Sequence, residues 1–233
     1  ESHGTTLVLH LKEDESRYAS AWTLRELVRR YSDFVSYPIQ MMKAPQPTEE
    51  GADVPPVEWE TVNEANALWQ RPKSEVTDEQ YAEFYKHLTS DMEAPHTHIH
   101  FKVEGTQLFT GLLYIPKAAP FDLYMREHQR GVRLYVKRVF IMDDAEDLVP
   151  VWLRFVKGLI DSDDLPLNVS RELLQDSRIT RTIRKQVIRR TLDALSTLAE
   201  GDAEAYESFW ATFGPVLKDC LLYTSDAADD CWS

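Results

Sequence analysis

Asp163-Asp164-Leu165-Pro166-Leu167-Asn168-Val169-Ser170-Arg171-Glu172-Leu173-Leu174-Gln175 reads as an extended loop that runs into a helix start. Pro166 fixes its own φ and keeps Leu165 out of the helical region. Ser170 can cap the first turn by accepting from its free N–H groups. Arg171 and Gln175 stand four apart, so they share one helix face. A guanidinium and an amide at a helix N-terminus suit an anion. An ordinary surface cap without a ligand would use the same residues.

Working outward, the residues on either side set the fold class. Before the loop, Leu159–Asp161 reads as a strand. After it, Ile183, Val187, Ile188, Leu192 and Leu195 form one stripe of a helix from about Ser177 to Ala199, ended by Gly201. Further back, Thr77-Asp78-Glu79-Gln80 is a capping box, and Tyr81, Phe84, Tyr85 and Leu88 follow at helical spacing. Ile99, Phe101 and Val103 alternate as a strand, and residues 108–115 and 133–142 read as two more. Pro150 opens a helix burying Val151, Trp152, Phe155 and Val156. A last helix with Tyr206, Phe209, Trp210 and Phe213 is expected to stop at Gly214-Pro215. Strands alternating with helices predict a layered α/β domain of two or three layers.

The N-terminal part differs. Leu7, Leu9 and Leu11 alternate as a strand with no partner, expected to be frayed or non-natively paired. A helix follows around Leu24, Leu27, Val28 and Tyr31. Residues 44–56 are rich in proline, glycine and acid and read as a flexible linker.

The net charge of −13 argues against a nucleic-acid role. The basic set Arg178, Arg181, Arg184, Lys185, Arg189 and Arg190 reads as the solvated face of a helix. No apolar run is long enough for a membrane helix, and Glu1-Ser2-His3-Gly4 is not expected to be a signal peptide. The two cysteines, Cys220 and Cys231, leave the body without disulfides, which fits a reducing cytoplasm. His96, His98 and His100 would share one strand face; a polar strand face is preferred to a metal site. Asp161, Asp163 and Asp164 lack the spacing of a calcium loop and read as solvating acids. No glycine-rich phosphate loop occurs, so the chain is not expected to hold ATP by itself.

The loop 163–175 resembles the catalytic loop of the heat shock protein 90 family of chaperones, in its bacterial form. Four other stretches match in order: Gly4-Thr5-Thr6-Leu7-Val8-Leu9-His10-Leu11-Lys12-Glu13-Asp14, Leu68-Trp69, Tyr114-Ile115-Pro116-Lys117-Ala118-Ala119-Pro120-Phe121-Asp122, and Leu134-Tyr135-Val136-Lys137-Arg138-Val139-Phe140-Ile141-Met142-Asp143-Asp144. The resemblance spans residues 4–218, more loosely at 41–63. It implies a large α/β middle domain like the second domain of ribosomal protein S5, followed by connecting helices. The implied divisions are the end of an ATPase domain at 1–40, a linker at 41–58, the middle domain at 59–200 and a connecting helix at 201–218. Residues 219–233 depart from the family and read as a non-native tail.

The resemblance further implies a role for each candidate residue. Arg171, with Gln175, would contact the γ-phosphate of ATP, with magnesium, held by the absent N-terminal domain. Asn168 would shape the loop or merely serve its turn. Trp69 and Phe121 sit near prolines in loops and could be exposed partner contacts or plugs under a loop; the resemblance implies contact with client proteins. Phe140 would pack behind the loop and Ser170 would support it. The implied partners are clients, cochaperones and the chain's own ATPase domain, with a homodimer for the full protein and a monomer for this chain. The competing expectation is a free-standing α/β phosphotransfer enzyme using Arg171.

Overall fold

The computed structural model describes residues 3–43, 58–89, 91–120, 123–124, 131–169, 174 and 177–222. The 44–56 segment read as a linker therefore lies outside the described residues. The chain divides into two compact units, Glu1–Asn66 and Ala67–Ser233.

In the first unit, residues 3–12 form no regular secondary structure and are exposed. Leu7 and Leu9 are 85% and 83% exposed, and the strand expected there is not formed. A 3-10 turn at Glu13–Ala19 leads into α1, Ala21–Tyr31. Strand β1 (Gln40–Met42) pairs antiparallel with β2 (Trp59–Thr61), which joins the two ends of the 44–57 excursion. Buried Asn63 holds this together: its Oδ1 accepts from Ile39 N, and its Nδ2 donates to the carbonyls of Val35 and Tyr37.

The second unit is a three-layer sandwich. Helix α2 (Asp78–Thr89) starts at the capping box read from sequence: Gln80 N donates to Thr77 Oγ1, and Thr77 N donates to Gln80 Oε1. Five strands follow: β3 (Thr97–Val103), β4 (Phe109–Ile115), β5 (Val132–Val136), β6 (Val139–Met142) and β7 (Lys157–Ser162). They lie in the order β3-β4-β7-β5-β6, antiparallel except for the parallel pair β5 and β7. Helices α3 (Arg178–Gly201) and α4 (Ala203–Leu222) complete the unit. Strand parity then sorts the side chains. Ile99, Phe101, Leu113, Leu134 and Ile160 join the α3–α4 core, while His100, Tyr114, Tyr135 and Asp161 face the α2 layer. All seven residues of β4 are buried because both its faces are covered.

Three expectations are corrected. The stretch 133–142 is not one strand but the hairpin β5–β6. Its two-residue turn is Lys137-Arg138, with φ of 50° and 67°, a conformation usually given to Asn-Gly. The helix expected after Pro150 is a single 3-10 turn, Val151–Leu153, with Val151 exposed; Trp152, Phe155 and Val156 are buried as read. Helix α4 does not stop at Gly214-Pro215 but runs through to Leu222. Interior proline costs about 3 kcal/mol, and burial of Phe209, Phe213 and Val216 offsets this at about 1.5–3 kcal/mol each. Phe209 and Phe213 pack on Phe155, so α4 belongs to the core and is more than a connector. Asp219, read as tail, accepts from Arg154 Nη1 at 2.9 Å.

Helix α3 begins at Ser177, whose Oγ accepts from Thr180 N at 3.0 Å. Its buried stripe is Ile183, Val187, Ile188 and Leu195, with Leu192 at the margin. Arg178, Arg181, Lys185, Arg189 and Arg190 are exposed, as expected of a solvated face.

Candidate functional site

Strand β7 delivers the chain to the loop that carries Arg171. The take-off is pinned on several sides. Asp163 N donates to Leu108 O at 3.1 Å, Leu108 N donates to Asp164 Oδ2 at 2.5 Å, and Lys137 N donates to Ser162 O at 3.1 Å. Ser162 Oγ accepts weakly from the amides of Asp164 and Leu165, at 3.4 and 3.3 Å. Leu165 and Val169 are buried, Asn168 is exposed, and Val169 N closes a turn onto Pro166 O. Leu174 is fully buried in the α3–α4 core. Ser170, Arg171 and Gln175 lie outside the described residues, as does Phe121. Arg171 is therefore bracketed by two core anchors with four residues between them.

Next to the take-off stands a buried polar knot that sequence reasoning missed. Asp161 is 2% exposed, so it is no solvating acid. Its Oδ2 accepts from Trp69 Nε1 at 2.8 Å and from Gln70 Nε2 at 2.9 Å. Its Oδ1 accepts from the backbone N of Arg138 at 3.1 Å. Three N–H donors compensate the loss of water around the carboxylate. The sequence did hold a signal: an acid inside the run Leu159-Ile160-Asp161, in a strand covered on both faces, must find donors. Asp163, two residues along, titrates above the ordinary aspartate value because burial and the charge of Asp161 disfavour its ionised form, with Arg138 and Lys137 opposing.

Trp69 is 1% exposed, so of its two readings the plug under a loop fits its burial. Its ring lies 5.3 Å from Tyr135 and 5.8 Å from Phe84. Phe140, 8% exposed, packs edge-on against Tyr135 at 5.6 Å and is a core residue, as read. Of the three histidines, His98 and His100 face α2, His98 half-buried and His100 buried, while His96 lies just before β3 and is half-buried. His98 stacks on Tyr81 at 3.8 Å. His100 Nε2 lies 2.8 Å from the carbonyl of Trp69, which can only accept; Nε2 therefore carries the hydrogen. Neutral Nδ1 then accepts from the Tyr81 hydroxyl at 2.7 Å. Both nitrogens are thereby engaged within the fold. Among the described residues, no group of three or more His, Cys, Asp or Glu is placed to hold a metal ion, and no helix is long and apolar enough to cross a membrane.

This packing makes stability depend on pH. Burial lowers the pKa of His96, His98 and His100 below the ordinary 6.5. Below that value the unfolded chain takes up protons that the folded chain refuses, so stability is full above it and falls as pH falls through it. The urea midpoint is expected to drop between about pH 7.5 and 5.5. Replacing all three histidines with glutamine should flatten that drop, and an unchanged slope would show that other groups set it.

The comparisons agree with this architecture. The family model for Hsp90 protein matches residues 53–227. The chain is similar to the chaperone protein HtpG of Myxococcus xanthus, 54% identical over 228 residues, covering 98% of this chain and 35% of that protein. It is similar to HtpG of Bordetella pertussis, 56% identical over 216 residues, covering 93% of this chain and 34% of that one. The chain thus spans about a third of the length of these relatives. Among solved structures it is similar to the middle domain of a heat shock protein from Plasmodium falciparum. The TM-score is 0.62 at 30% identity, over 71% of this chain and 64% of that one. With a layered α/β unit of the same fold and a family match over most of its length, the chain belongs to the heat shock protein 90 family, in its middle segment.

Proposed function

We propose that this chain is the middle segment of an ATP-driven chaperone, and that it completes an ATPase whose nucleotide is held by the N-terminal domain of the same polypeptide. ATP, with its magnesium ion, supplies the phosphoanhydride bond that is broken. Arg171 contacts the γ-phosphate with a guanidinium that keeps its charge and whose fork matches phosphate oxygens. Gln175, four residues on in sequence, assists it, and Asn168 shapes the approach. The observation that carries this reading is the anchored take-off at the end of β7. Leu165 and Val169 on one side and Leu174 on the other tie a short polar stretch to the core. A contact carried on so short a tether can meet a ligand held by another domain without rebuilding the sandwich.

Client proteins are the cargo in this reading, and Phe121 is the aromatic proposed to touch them. Trp69, sealed under α2, is not proposed for that contact. A homodimeric full-length protein, cochaperones and a cytoplasmic setting belong to the same proposal and rest on family membership.

The test is an ATPase assay in which this chain is added to the isolated N-terminal domain of the same protein. Turnover is expected to rise with added chain and to saturate. The Arg171→Ala chain should give no rise. Equal stimulation by both chains would exclude Arg171, and turnover by this chain alone would mean that it holds a nucleotide site of its own.

A further inference from the structure

We infer that Asp161 is a positioning residue for the Arg171 loop: its buried carboxylate ties the strained β5–β6 turn and the 68–70 segment to the end of β7, and so sets where the loop leaves the sheet. The inference rests on the reading of Arg171 given above.

The argument begins with the turn. Lys137 and Arg138 both sit in the left-handed region, which is unfavourable for a residue with a side chain. Such a conformation persists only where its surroundings over-determine it. Two bonds do so here, Lys137 N to Ser162 O and Arg138 N to Asp161 Oδ1. Both acceptors belong to the last two residues of β7, immediately before the loop. The turn and the take-off are therefore fixed by the same atoms. Trp69 and Gln70 occupy the other carboxylate oxygen from 92 and 91 residues away, so the acid cannot swing to serve one partner at the expense of another. Strand pairing reinforces this, since Tyr135 is the register partner of Asp161 and packs against Trp69 with tilted rings. A shift of the carboxylate would move Ser162, and with it the amides of Asp164 and Leu165 that lean on its hydroxyl.

The experiment uses the full-length chaperone with Asp161→Asn. The amide keeps the shape but must set its own N–H against one of the three donors, so one arm of the knot opens. Because ATP binds on another domain, the steady-state rate should fall about tenfold while KM for ATP stays within about twofold. The double variant with Arg171→Ala should be no slower than Arg171→Ala alone, because Asp161 acts through Arg171. Adding Lys137→Asn and Arg138→Gly, a pair that adopts the turn without help, should restore part of the rate. A wild-type rate in Asp161→Asn, beside a lowered rate in Arg171→Ala, would overturn the inference and leave the reading of Arg171 intact. Losses that multiply in the double variant would overturn it too. An unchanged rate in Arg171→Ala would instead remove the reading on which it rests. Where Asp161→Asn fails to fold, Gln70→Leu removes one donor only. A rate lowered about threefold then supports the inference, and an unchanged rate overturns it.

Discussion

Arg171→Ala in the full-length chaperone is expected to lower ATP turnover at least tenfold, toward the loss of about 10³-fold associated with such arginines in phosphoryl transfer. The charge on the γ-phosphate oxygens changes as the bond breaks, and a guanidinium delivered from another domain stabilises the transition state more than bound ATP. KM for ATP should hardly move if the nucleotide is held by another domain, as proposed. Arg171→Lys keeps the charge but loses the fork, so its rate should lie well below wild type and no lower than the alanine variant. The melting temperature should shift little. The core is engaged by Val169 and Leu174 on either side, and Arg171 lies on the four-residue span between them. Steady-state ATPase measured beside thermal unfolding checks both halves. Unchanged turnover in the alanine variant would show that the family role does not carry to this sequence.

Gly158→Ala is expected to abolish the fold of the second unit. Gly158 has φ of +137°, which side-chain-bearing residues rarely adopt. An added Cβ would stand 2.3 Å from Leu112 O and 2.8 Å from Leu113 Cα. Both are backbone atoms of β4, buried along its whole length, so neither can rotate away. The sheet must open at its centre. The cost should exceed about 4 kcal/mol, a large share of the 5–15 kcal/mol by which domains are usually stable. Gly201→Ala is the control. Nothing lies within 4 Å of its would-be Cβ, and it ends a helix, so it should melt at or slightly above the wild-type temperature. A well-folded Gly158→Ala protein would mean that β4 and β7 are not paired in this register.

Local signals were readable in the sequence where one residue type has one physical use. The Thr77–Gln80 box, the start of α3 near Ser177 and its apolar stripe needed no tertiary knowledge. The hairpin at 137–138 was not readable, because its turn lacks glycine and asparagine and is held by bonds from β7, which lies distant in sequence. Pro215 misled for a related reason: the gain from seating Phe213 and Val216 is tertiary, while the cost of proline is local. Trp69 looked like a loop aromatic, since nothing near it in sequence shows that an acid 92 residues later accepts from its indole. In the candidate site the loop was legible as a motif, but the knot that fixes its take-off was not.

The strand order β3-β4-β7-β5-β6 also dictates how the unit must be made. During vectorial synthesis two hairpins, β3–β4 and β5–β6, can close as soon as each emerges. Each then presents an open inner edge, β4 on one and β5 on the other. Only β7 can fill both, antiparallel to the first and parallel to the second. Until residue 162 leaves the ribosome, a nascent chain of this sequence carries two hydrophobic, unpaired edges that invite pairing with other chains. The sheet closes late, around its last strand. A segment of a chaperone thus passes, while being made, through a state of the kind that chaperones act upon.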